Sequence, residues 1–92
     1  MLTNEATFND KGLPVPPPNY ISHPSNLILV EIPDDFQAIK SQDFDLALRW
    51  REHTRSLFEN LFDSGFMVTD FVRYKDREVR KRSYYLLTYQ DA

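Results

Sequence analysis

The segment that most narrows the possible folds runs from Phe44 to about Asp63. At about 100° per residue, Phe44, Ala47, Leu48, Trp50, Leu57, Phe58, Leu61 and Phe62 fall on one broad apolar arc. Asp45, Arg49, Glu52, Ser56, Glu59, Asn60 and Asp63 fill the other side. The spacing predicts an amphipathic helix over 44–63, capped by Ser41 or Asp43 and stopped at Ser64-Gly65, where glycine can take the left-handed position. Two arginines, Arg51 and Arg55, lie inside the apolar arc one turn apart. A guanidinium on an apolar face needs an acceptor to offset its lost hydration.

Strand signals flank this helix. Leu27-Ile28-Leu29-Val30-Glu31-Ile32 is apolar on alternate and intervening positions and ends at Pro33, as a central strand covered on both faces would. Asp34 or Asp35 can cap a short helical turn through Phe36–Lys40. Phe66–Tyr74 and Ser83–Tyr89 are rich in aromatic and β-branched residues, and the polar stretch 75–82 suits a hairpin connection. The expectation is an α+β module over 27–92: a small mixed sheet in β-α-β-β order, one long helix packed on it, with the Leu27 and Phe66 strands as parallel neighbours, although their adjacency is not readable from the sequence. Residues 1–26 hold five of the six prolines and read as an extended Pro-rich arm. Within it Glu5–Phe8 has strand character and Asn9–Gly12 the look of a turn. The arm is either a strap over the body or a ligand for a polyproline-binding domain.

With 92 residues there is room for one domain with a compact core, in which 13 aromatic rings supply large contact areas. A net charge of −3 gives no global field for nucleic acid or anionic lipid. Without cysteine there is neither a disulfide nor a thiolate ligand, and His23 and His53 lack metal-ligand spacing, so no metal is expected. No apolar run reaches membrane-spanning length, and a cytoplasmic location with no membrane partner is expected.

The chemistry reduces to a few candidates. Arg51 and Arg55 either pair internally, with Glu31 or Asp70, or snorkel to the rim of the apolar face, or bind the carboxylate or phosphate of a ligand. Glu31 and Asp70 are carboxylates in apolar strands, so either could also act as a general base. Tyr85 shares a strand face with Tyr89 and is a weaker candidate, as packing residue or proton donor. The segment 73–82 carries six basic residues, either a solvated hairpin tip or a grip on a phosphate backbone. No Gly-rich phosphate loop or nucleophile elbow occurs, since Gly12 and Gly65 are the only glycines, and no catalytic residue can be assigned.

Several stretches together resemble the C-terminal part of a bacterial group of GNAT-superfamily acyltransferases associated with amino-acid N-acylation. They are Gly12-Leu13-Pro14, Leu29-Val30-Glu31-Ile32-Pro33-Asp34-Asp35-Phe36, Ala47–Arg55 with its Trp50-Arg51 and Arg55, Gly65–Phe71 and Ser83–Thr88. The resemblance implies the last strands and helix of a mixed sheet, with acetyl-CoA or another acyl-CoA as cofactor of the complete enzyme. The superfamily's Gly-rich turn for the CoA pyrophosphate does not occur here, so the resemblance assigns no cofactor to this chain and implies that the N-terminal, cofactor-binding half lies elsewhere, the chain being either cut from a longer protein or one piece of a two-part assembly. Arg51, Arg55 or a strand tyrosine would then face the acceptor's carboxylate. Such a module is expected to cover its exposed sheet edge by self-association. A different class of reading is a stand-alone dimeric interaction module whose helix face or sheet edge binds a protein partner; a nucleic-acid partner is not expected.

Overall fold

The computed structural model describes residues 2–20 and 25–89. Its elements in chain order are β1 (Thr7–Phe8), β2 (Pro14–Val15), β3 (Leu27–Ile32), α1 (Phe36–Gln42), α2 (Phe44–Asp63), β4 (Phe66–Lys75) and β5 (Lys81–Tyr89). The fold is α+β. A bare β-α-β-β order is too simple for it, because a two-stranded hairpin precedes β3 and a second helix precedes α2.

Local chemistry accounts for the helix limits. Asp35 accepts a hydrogen bond from the Ala38 N–H and Asp43 from the Leu46 N–H, each satisfying a donor that the first turn leaves open. Beyond the C-terminal end of α2, Gly65 takes φ 100°, a conformation that glycine adopts without a Cβ clash, and its N–H returns to the Phe62 carbonyl at 3.1 Å.

The sheet departs from expectation in its order. It runs β3-β5-β4, and both ladders are antiparallel. Strands β3 and β4 share a direction, but β5 lies between them; the parallel element of the expected mixed sheet reduces to an isolated bridge of Leu2 to Leu29. Burial gives the reason. Ser83, Tyr84 and Leu87 of β5 are buried, whereas nine of the ten residues of β4 are exposed. A strand with Thr69, Asp70, Arg73 and Lys75 loses less at an edge than in the middle. Strand β3 is not central either. Its outer edge is closed by the arm: the Thr3 N–H donates to the Leu29 carbonyl (3.0 Å), and the Asn4 carboxamide pairs with both the N–H and the carbonyl of Glu31 (2.6 and 2.9 Å).

Helix α2 joins two cores. Its N-terminal half buries Leu46, Ala47 and Trp50 against Ile39 of α1 and against Ala6 and Leu13 of the arm. Its C-terminal half buries Leu57 against Ile28, Val30 and Leu87 on one face of the sheet. The arm is therefore a strap with a core of its own, tied to the helix by the Trp50 indole N–H, which donates to the Pro14 carbonyl at 2.8 Å. His23, at the end of the arm, lies outside the described residues.

Candidate functional site

The stripe Phe44, Leu48, Arg51, Arg55, Phe58 and Phe62 recurs at helical spacing on α2, and within it Phe58 packs against the sheet core. Phe44, Leu48 and Phe62 are exposed, as are both arginines. The stripe overhangs a groove of about 450 Å3 whose walls come from α2 and from the β3–α1 junction. Ile32, Pro33 and Phe36 form one side, Arg51, Thr54, Arg55 and Phe58 the other, with Trp50 and Tyr85 also lining it. Pro33 ends β3 and turns the chain away from the sheet, and this departure opens the groove. An adjoining depression of about 110 Å3 shares Phe36 and Arg51 and adds Lys40. No carboxylate lines either space.

The internal partners proposed for the arginines are elsewhere. Glu31 points to the opposite face of the sheet, where Arg82 holds it at 2.8 and 3.0 Å in a two-pronged pair. Asp70 is exposed on β4 and accepts from the adjacent Phe71 N–H at 2.7 Å. Among the described residues, neither Arg51 nor Arg55 has an ion-pair partner. The Arg51 guanidinium lies 5.9 Å from the Phe36 ring centroid, a distance at which the ring's negative face attracts it. Tyr85 is half-buried and packs edge-on against Phe58, with Phe71 beside it at 5.4 Å between ring centroids. The structure thus brings Arg51, Arg55 and Tyr85 to one groove and leaves Asp70 out of it.

Sequence reasoning missed Arg82 as the partner of Glu31. Glu31 pairs with Tyr84 in the β3–β5 register, so Arg82 is its diagonal neighbour on the same face. That proximity follows only once β5 is placed beside β3. The Arg82 guanidinium also donates to the Ala6 carbonyl at 2.8 Å, and the Glu31 carboxylate accepts from the Ala6 N–H at 2.8 Å. Bonding to Glu31 raises the Arg82 pKa, so its charge is permanent. This cluster has every group partnered and is structural in character. Burial, and then the hydroxyl contact to Tyr74 at 3.2 Å, push the nearby Tyr84 phenol up.

Two further groups carry perturbed ionisation. The Arg73 bond at 2.6 Å, assisted by Ser83, holds Asp34 below the usual carboxylate range. Burial lowers the pKa of His53. The Asn4 amide nitrogen donates to His53 Nε2 at 2.9 Å, an orientation set by the pairing of that carboxamide with Glu31, so the imidazole is neutral with its proton on Nδ1. At the hairpin tip, Arg73 pairs with Asp34, Arg82 with Glu31, and Arg80 lies over the Phe8 ring at 4.3 Å; Lys75, Arg77 and Lys81 complete the basic set. Half of the basic tip is thus engaged within the fold, which disfavours a phosphate-backbone grip.

Among the described residues, no cluster of three or more His, Cys, Asp or Glu gathers at metal-binding distance, and no helix is long and apolar enough to cross a membrane. No family model matches the chain, and no curated protein or solved structure is similar to it.

Proposed function

We propose that this chain is a carboxylate-binding module that forms the acceptor side of a GNAT-like N-acyltransferase and does not transfer an acyl group by itself. The observation that carries the reading is the placement of two guanidinium groups, without an acidic partner among the described residues, over one apolar groove. A carboxylate can accept parallel N–H bonds from a guanidinium. The ligand's apolar body would lie on Ile32, Phe36 and Phe58. Tyr85 is the lining group that can move a proton in this reading, although its packing between Phe58 and Phe71 also suits a purely structural role. The resemblance of the Trp50-Arg51 to Arg55 segment supports the same assignment. Acyl-CoA is allotted to residues outside this chain, because no Gly-rich strand-turn-helix is present to receive its pyrophosphate.

The test is a titration followed by amide chemical shifts, with phenylalanine and phenylalaninamide as probes. The acid is expected to bind with a Kd on the order of 1 mM and the amide at least about tenfold more weakly. Arg51→Met/Arg55→Met is expected to abolish the difference. Equal binding of acid and amide by the parent chain sinks the reading. Tight binding of acetyl-CoA in calorimetry would place the cofactor on this chain and overturn the division into halves.

A second reading, a self-associating interaction module, rests on a different observation: β4 is an edge strand with Met67, Val68, Phe71, Val72 and Tyr74 all exposed. The oligomeric mass in solution tests it.

A further inference from the structure

We infer that the occupant of the bare β4 edge is a second copy of the same strand, paired antiparallel about a two-fold axis, with the basic hairpin tip of each copy resting on the acidic end of α2 in the other. This deepens the self-association reading and is independent of the ligand groove.

The two edges of the sheet are treated differently. On β3, Thr3 and Asn4 occupy the outer hydrogen-bonding positions at Leu29 and Glu31, so that edge is closed from within. On β4 nothing among the described residues plays that part, although the strand is ten residues long. A long edge with apolar side chains on both faces is what natural sheets avoid leaving open. A ladder irregularity between Val68 and Asp70 turns the first part of β4 out of line, which leaves the stretch from Asp70 to Lys75 as the straight template.

Charge selects the partner. The last turn of α2 contains no basic residue, and Glu59 and Asp63 are exposed near its end, where the helix dipole already accumulates negative potential. Nothing in the helix itself compensates this end. The far end of β4 leads into Lys75 and Arg77, both exposed. Because α2 hands the chain to β4 through Ser64-Gly65, the acidic helix end lies at the start of β4 and the basic residues at its finish. Antiparallel pairing places finish against start. An axis through Val72 sets Val72 against its own copy and Asp70 opposite Tyr74, and brings Lys75 opposite Thr69 and Arg77 level with Met67, at the start of β4 where the acidic helix end of the other copy lies. The two-fold makes this contact twice. Parallel pairing would set like ends together and is excluded by the same charges. A generic peptide strand could fill the hydrogen bonds but would leave the helix end uncompensated.

A straight stretch of six residues spans about 20 Å, so this interface lies at the small end of specific contacts and the dimer is expected to dissociate in the micromolar range. Sedimentation of the full chain over roughly 10 to 300 µM in low salt tests the proposal. The parent chain is expected to shift from monomer to dimer across that range. Lys75→Glu/Arg77→Glu and, separately, Glu59→Lys/Asp63→Lys are each expected to weaken the dimer at least tenfold. An equimolar mixture of the two variants is expected to recover it, since each then meets its opposite. A parent chain that stays monomeric throughout overturns both this inference and the self-association reading. If the parent dimerises but the two variants do so equally well, or if their mixture stays monomeric, this pairing is wrong while self-association by another face stands.

Discussion

Removing the Arg82 side chain tests whether the Glu31 pair holds the arm, β3 and β5 together. The Glu31 side chain retains 3% of its exposure and that of Arg82 11%, so neither charge is well hydrated in the fold. Arg82→Met preserves length and apolar stem but deletes both bonds to the Glu31 carboxylate and the bond to the Ala6 carbonyl. Breaking a buried pair from one side costs about 3 to 5 kcal/mol, because the remaining charge is stranded. Total stability for a chain of this size is about 5 to 14 kcal/mol, so the loss is a large fraction of it. Urea unfolding followed by Trp50 fluorescence is a suitable assay, since Trp50 is the single tryptophan and is 1% exposed. With an m value of about 1.5 kcal/mol/M, the midpoint should fall by about 2 to 3 M. Replacing both partners, Arg82→Met with Glu31→Leu, should restore stability to within about 2 kcal/mol of the parent, as apolar replacements of buried pairs commonly do. A single variant that loses less than about 1 kcal/mol, or a double variant no better than the single, would refute the reasoning.

The groove arginines should behave in the opposite way. Arg51→Met and Arg55→Met remove exposed groups without an ion-pair partner among the described residues, so each should change stability by no more than about 0.5 kcal/mol in the same urea assay. Burial lowers the pKa of His53 from its ordinary 6.5, so the unfolded chain takes up that proton first as pH falls. The His53 contribution is therefore complete above about pH 6.5 and declines below it, and His53→Gln should flatten the stability profile between about pH 7 and pH 5. Asp34, held low by Arg73, gives a separate loss that begins only as pH falls towards and below 3.8. Trp50→Phe keeps the ring in the core but orphans the Pro14 carbonyl; a cost of about 1 to 3 kcal/mol and earlier proteolysis of the arm are expected.

The helix over 44–63, the stop at Gly65 and the three main strands were legible, and each helix cap was narrowed to two residues, of which the fold uses Asp35 and Asp43, because each rests on contacts a few residues apart. A helical period, a carboxylate three residues before an open N–H, and a run of β-branched residues are all local facts. The same reading placed Arg51 and Arg55 on the apolar arc, but their partner was not legible. A helical projection gives the direction of a side chain and is silent on what lies opposite. The apolar arc proved wider than the face that packs: Ala47, Trp50 and Leu57 are buried, while Phe44, Leu48 and Phe62 on the same arc are exposed beside the arginines.

Pairing between distant segments was decided by tertiary structure alone. Whether Glu31 meets Arg51, Arg55 or Arg82 depends on β5 lying between β3 and β4, and that order follows from which strand can be buried on both sides. Strand composition hinted at it only weakly, since β4 and β5 are both rich in aromatic and β-branched residues. The arm shows the same division. Its prolines determined that it would be extended, but only the fold could use Asn4 and Thr3 to close one sheet edge, bury Ala6 and Leu13, and leave the other edge bare. Local propensity acts over a few residues and can be read from them; satisfying a buried charge or a strand edge requires a partner that chain folding alone supplies.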